Sequence, residues 1–197
     1  MKKHLFYLSM AFVMAFFSAC GNKGVFTPTS SGRAYEILVV VDPGTWERAA
    51  GRALYDVLDT DVPGLPQSER SFRIMYTSEA NYDATLKLIR NIIIVDINKD
   101  LYTQPKFKYA KNVYAAPQSI LTIQAPDEAS FEKFVEENRQ VIIDFFTHAE
   151  MNRQISVLEK KHSDYISTKV KSMFDSDVWV PGELTATKQG ENLSLIH

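Results

Sequence analysis

Tyr35-Glu36-Ile37-Leu38-Val39-Val40-Val41-Asp42-Pro43-Gly44-Thr45-Trp46 is the stretch that decides the fold. Ile37 to Val41 is apolar and mostly β-branched with no polar alternate, the pattern of a strand covered on both faces. It stops at Asp42-Pro43-Gly44, a turn sequence. Beyond it Trp46, Ala49, Ala50, Ala53, Leu54, Val57 and Leu58 recur at helical spacing. Thr45 is the expected N-cap, and Arg48 stands where a capping box would put an acid. A buried strand running straight into an amphipathic helix is half of a βαβ unit, so the expected class is α/β, with α+β as the alternative.

The grammar continues downstream. After a loop at 61–67, Ser71 to Thr77 alternates Phe72, Ile74 and Tyr76 with more polar positions and reads as a strand. Ser78-Glu79-Ala80-Asn81 should open a second helix, with Tyr82, Leu86 and Ile89 on one stripe. Asn91 to Asp96 is a third strand and Ser119 to Gln124 a fourth, separated by a polar, basic loop from Lys99 to Lys111. Asp127 caps a helix carrying Glu128 and Glu132 in its first turns. No Pro or Gly interrupts the pattern up to about Met173. A helix that long should bend, and Thr147-His148-Ala149, where the apolar stripe thins, is the expected place. The expectation is thus a mixed sheet of about four strands packed by helices, with one long bent C-terminal helix. A terminal extended hairpin follows around Lys188 to Asn192.

The N-terminus carries an address. Lys2 and Lys3 precede an apolar run from Leu5 to Phe17, too short to span a bilayer, and Ser18-Ala19 supplies the small residues of a cleavage site. Ala19-Cys20 is the expected cleavage junction. Cys20 is the one cysteine of the chain, so no intramolecular disulfide can form. A small-residue pair followed at once by Cys resembles the lipobox of bacterial lipoproteins, in which the thiol is acylated. That resemblance implies a lipid-anchored protein on the outer membrane of a Gram-negative bacterium, facing the periplasm. An ordinary secretory signal with an incidental Cys is the alternative. The expected organisation is a signal peptide over 1–19, a lipidated flexible tether over 20–32, an α/β domain over 33–177 and the start of a truncated second unit over 178–197.

Cys20, the Val39-Val40-Val41-Asp42 strand with its Trp46 helix, the Asn91-Ile92-Ile93-Ile94 strand, the long helix and the segment from Val180-Pro181 to Gly190-Glu191-Asn192 together resemble an uncharacterised family. It is a domain-of-unknown-function family of Bacteroides-type lipoproteins. The resemblance implies a longer parent protein, of which this chain is the N-terminal half. It brings no catalytic residues with it.

Candidate chemistry is sparse. Asp42, Gly44 and Thr45 sit where a strand meets a helix, the place at which α/β sheets hold anions, though a capped tight turn explains them equally. His148 with Glu150 and His162 with Asp164 are the only His/carboxylate groupings of the expected domain. On one straight helix 14 residues would part the two histidines by about 21 Å, so solvated helix positions explain them better than a shared metal. The lysines at 99, 106, 108 and 111, interleaved with Tyr102, Phe107 and Tyr109, either form a solvated loop or meet an acidic glycan or phosphorylated headgroup. No nucleophile elbow, zinc-helix or phosphate-loop motif occurs, so no catalytic residue, metal or cofactor is expected. Losing Lys2 and Lys3 from 22 basic and 24 acidic residues leaves an acidic chain, which argues against a nucleic-acid partner. A non-enzymatic envelope protein that binds a protein, glycan or lipid at the membrane surface is the first expectation. A periplasmic hydrolase completed by residues outside this chain is the second, and a small-ligand carrier the third.

Overall fold

The computed structural model describes residues 27–184, with the backbone of 187–189 and 194–196. Ala19 and Cys20 lie outside the described residues. Five strands, β1 (Glu36–Val40), β2 (Arg73–Thr77), β3 (Asn91–Ile97), β4 (Lys106–Lys111) and β5 (Ser119–Ala125), form one sheet in the order β2-β1-β3-β5-β4. β2, β1, β3 and β5 run parallel, and β4 pairs antiparallel with β5 at the edge. The class is α/β, as expected. The sheet has one strand more than expected, because β4 forms where the basic loop was placed.

The inner strands are continuous apolar runs because both their faces are covered. Ile37, Val39, Ile93, Val95, Leu121 and Ile123 face the helices, against Leu54, Leu58, Phe131, Val135, Ile142 and Phe146. Leu38, Val40, Ile92 and Ile120 face the other way, under Tyr82, Leu86 and Ile89. Phe131 and Phe146 are completely buried, each contributing on the order of 1.5–3 kcal/mol through burial.

The helix after β1 is two helices, α1 (Pro43–Glu47) and α2 (Ala49–Leu58). The N-cap is Asp42 rather than Thr45: its carboxylate accepts the Thr45 N–H at 3.0 Å, and Pro43 occupies the first helical turn, where its missing N–H costs nothing. Arg48 is extended and joins the two. Gly51 makes that corner possible, since a Cβ there would stand 2.4 Å from Trp46 Cα and 2.5 Å from the Thr45 carbonyl oxygen.

No α-helix connects β2 to β3. The expected helix at 78–89 is two 3-10 turns, Glu79–Asn81 and Leu86–Leu88. Asp83 explains the departure: its Oδ1 accepts both the Thr85 and Leu86 N–H groups, each at 2.9 Å, holding the backbone in a side-chain turn.

The long helix breaks in other places than expected. α3 (Glu128–Glu137), α4 (Arg139–Lys161) and α5 (Asp164–Phe174) are divided at Asn138 and at His162-Ser163, and α4 runs unbroken through Thr147-His148-Ala149. Asn138 Nδ2 donates to the Phe134 carbonyl, ending α3, and Ser163 Oγ accepts from the Ile166 N–H, starting α5. Asp127 caps α3 as expected, accepting the Ser130 N–H at 2.8 Å.

Two flanking segments attach to this body. Residues 28–31, in the expected tether, are held by Ser30 N–H to the Ala116 carbonyl, Ser31 N–H to that of Leu88, and Arg90 N–H to that of Ser31. Residues 178–182 return along the α4–α5 corner, where Ser163 N–H donates to the Val180 carbonyl and Gly182 N–H to that of Lys161. Trp179 stacks on His162 with centroids 5.3 Å apart. The strands β6 (Thr187–Gln189) and β7 (Ser194–Ile196) pair antiparallel, in the place of the expected hairpin.

Candidate functional site

Of the three residues expected at an anion site, Asp42 and Thr45 line a common crevice and Gly44 does not. Val41, Asp42, Thr45, Ser78 and Glu79 line a crevice of about 510 Å³ at the carboxyl ends of β1, β2 and β3. There the chain leaves neighbouring strands in opposite directions, the usual ligand position of an open α/β sheet. The polar groups are already committed within the protein. Asp42 occupies the N–H of Thr45, and Thr45 Oγ1 donates to Glu128 Oε1 at 2.8 Å. Arg48 pairs with the same carboxylate, its Nε donating to Oε2 at 2.9 Å. The hydrogen bond from Arg48 pulls the Glu128 carboxyl down to about 2, burial opposing it and Thr45 adding to it. A Cβ at Gly44 would stand 2.8 Å from Arg48 Nη1, the movable end of an exposed side chain, so the space there does not demand glycine. The turn therefore serves to bind α3 to the end of β1.

The opposite end of the sheet carries a different arrangement. Arg90 lies just before β3, Ser119 opens β5, and Lys111 closes the antiparallel β4, so all three reach the same edge. α4 crosses this edge and adds Arg153, Lys160 and Lys161 at helical spacing. Between them lies a cleft of about 620 Å³, with Phe145, Pro117 and Val157 as apolar wall and no carboxylate among its lining residues. Lys111, Lys160 and Lys161 are exposed around it.

Behind Arg90 and Arg153 of this cleft lies a buried charge network. Glu150, fully buried, accepts from Asn91 Nδ2 at 2.7 Å and from Arg153 Nη1 at 2.8 Å. Arg153 Nη2 donates to the Arg90 carbonyl and to Ser119 Oγ, both at 3.0 Å. Arg90 Nη2 lies 2.8 Å from Glu150 Oε2 as an ion pair. Burial pushes the Arg153 guanidinium below its ordinary range, with Glu150 opposing and Arg90 adding to the shift. One carboxylate thus serves two guanidiniums. Arg90 Nε and Glu150 Oε2 are both buried without a hydrogen-bond partner among the described residues, so what is left over at this end is positive charge, two guanidiniums against one carboxylate.

The His/carboxylate groupings divide. Glu150 belongs to the buried network behind the cleft, a correction to its expected place on a solvated face, whereas His148 is exposed and lines the cleft. Two helix positions are about 200° apart, so the pair cannot act together. His162 ends α4, its Nε2 3.0 Å from Asp164 Oδ1 and its Nδ1 2.8 Å from the Leu158 carbonyl oxygen. Among the described residues no three His, Cys, Asp or Glu side chains are grouped to hold a metal ion, and no helix is long and apolar enough to cross a membrane. Sequence reasoning reached Lys111, within the basic stretch, but missed Arg90, Arg153, Lys160 and Lys161. The available signals were Arg90-Asn91 at the head of an apolar strand and Glu150, which continues the buried stripe of Ile142 and Phe146 three residues before Arg153.

These features define an α/β domain with its α-helices on one face and a basic cleft at the amino-terminal ends of its parallel strands. The chain belongs to the family described as a domain of unknown function, DUF8532, whose model matches residues 30–159. That span holds the sheet, Arg90, Lys111, Glu150 and Arg153, and stops just before Lys160 and Lys161. No curated protein and no solved structure matches the chain.

Proposed function

We propose that this protein is a lipid-anchored component of the bacterial cell envelope, of the Bacteroides lipoprotein type, that works by binding rather than by catalysis. The anchor is Cys20, acylated after cleavage behind Ala19, and the location is the periplasm-facing leaflet of the outer membrane. The observation that carries the binding reading is the cleft: Arg90, Lys111, Arg153, Lys160 and Lys161 with no lining acid, in a chain that is acidic overall. Its volume lies in the range of small-ligand sites, and an apolar wall with a few convergent polar groups is their usual make-up. The serines there are engaged, Ser119 Oγ with Arg153 and Ser156 Oγ with the Asn152 carbonyl, which favours holding a ligand over nucleophilic attack.

Two measurements test the reading. Metabolic labelling with a fatty acid should mark the wild-type protein, and Cys20→Ala should abolish the label and release the protein from membranes. Calorimetric titration with inorganic phosphate and with citrate should give binding that Lys160→Gln/Lys161→Gln weakens. Unlabelled wild-type protein sinks the anchor, and no heat with either anion sinks the cleft.

A further inference from the structure

The basic cleft and the point where the expected tether joins the domain are the same corner of the molecule. Ser31 accepts from the Arg90 N–H and donates to the Leu88 carbonyl, so the incoming chain lies directly against the residue that lines the cleft. Ser30 and Pro28 bond to Ala116, next to Pro117 of the cleft wall. Gln118, also lining the cleft, ties the two sides together by donating to the Lys87 and Ile89 carbonyls at 2.7 and 2.8 Å.

Chain length then restricts where this corner can be. Pro28 is eight residues on from Cys20 in the chain, and a fully extended chain advances only about 3.3–3.6 Å per residue. An acylated Cys20 therefore holds Pro28 within roughly 30 Å of the lipid, however the linker runs. The other end of the sheet, with Asp42, Glu79 and Glu128, lies away from the tether, and its acids would be repelled by an anionic leaflet. The cations are at the near end, around a cleft that combines charge with the apolar surface of Phe145, Pro117 and Val157.

We propose that the cleft takes the phosphate-bearing headgroup of an anionic lipid from the membrane in which the protein is anchored, and so fixes the domain with its cleft end down. Arg90 and Arg153 form the hydrogen-bonded floor, Lys111, Lys160 and Lys161 the exposed rim, and the apolar wall lies against the glycerol and first methylenes. This rests on the anchored, binding reading above and adds the ligand class and the orientation.

The test uses the mature chain, residues 20–197, carrying Cys20→Ser, so that neither acyl chains nor the apolar leader contribute, sedimented with vesicles of phosphatidylcholine or of equal parts phosphatidylcholine and phosphatidylglycerol. Binding to the anionic vesicles should exceed binding to the neutral ones by about tenfold or more, as expected when several Lys and Arg meet an anionic surface. Lys160→Gln/Lys161→Gln changes two exposed residues and should remove most of that preference. Lys106→Gln/Lys108→Gln, which subtracts the same charge from residues outside the cleft, should leave most of it. Equal losses in the two pairs would overturn the proposal in favour of undirected surface attraction. No vesicle preference with phosphate binding intact would also overturn it, assigning the cleft to a free anion while the binding reading stands. Silence toward vesicles and soluble anions alike would remove both.

Discussion

Glu150 and Arg153, one turn apart on α4, meet at 2.8 Å inside the protein, with Asn91 donating to the same carboxylate oxygen from the head of β3. The pair fastens the helix to the sheet edge at which the cleft opens. Removing one member of a buried pair strands the other, at a cost of about 3–5 kcal/mol. Glu150→Gln should accordingly lower the urea midpoint by a stability loss of that order, and a loss below about 1 kcal/mol would mean that the network is dispensable.

Gly51 stands where any side chain would meet the Trp46 backbone. Gly51→Ala should destabilise by about 1–3 kcal/mol, the usual cost of overpacking, even though alanine is the better helix former. Thermal unfolding of the variant checks the sign.

The Glu128 carboxyl sits at about 2 in the folded protein, held there first by Arg48. A depressed folded-state value contributes stability above the ordinary carboxylate range, near 4.3, and that contribution disappears as pH falls toward about 2. Denaturation between pH 5 and pH 2 should show the loss in the wild type, and Glu128→Gln should flatten that part of the profile. An unchanged profile in the variant would assign the acid sensitivity to other groups.

The Trp179 ring against His162 holds residues 178–182 to the corner between α4 and α5. Amide exchange at Gly182 and Ser163 should be slow in the wild type and faster in Trp179→Ala, while the amides of β3 and β5 keep their protection. Fast exchange at Gly182 in the wild type would contradict the docked arrangement.

What could be read in advance depended on burial. β1, β3 and β5 were legible because strands covered on both faces are written as unbroken apolar runs. β4 was not, since Lys106, Lys108 and Lys111 resemble a solvated loop; the alternation with Phe107 and Tyr109, which pack toward Phe134 and Phe145, was the overlooked signal. Tyr82, Leu86 and Ile89 do share one buried face, so the period was real, but Asp83 diverts the backbone before a helix can form. The turn of Asp42, Gly44 and Thr45 was legible because its residues lie within four successive positions. The cleft was invisible because its cations come from the segments around residues 90, 111 and 153–161, brought together only by the crossing of α4 over the strands.

β4 pairs with β5 on one side, and its other side is the rim of the sheet. An unpaired strand is a template for a second copy to extend the sheet from one molecule into the next. Lysines at three of its six positions place like charges in register against any such copy. Crowded molecules of this protein would therefore repel along that rim, and β-extension from chain to chain would stop before it began.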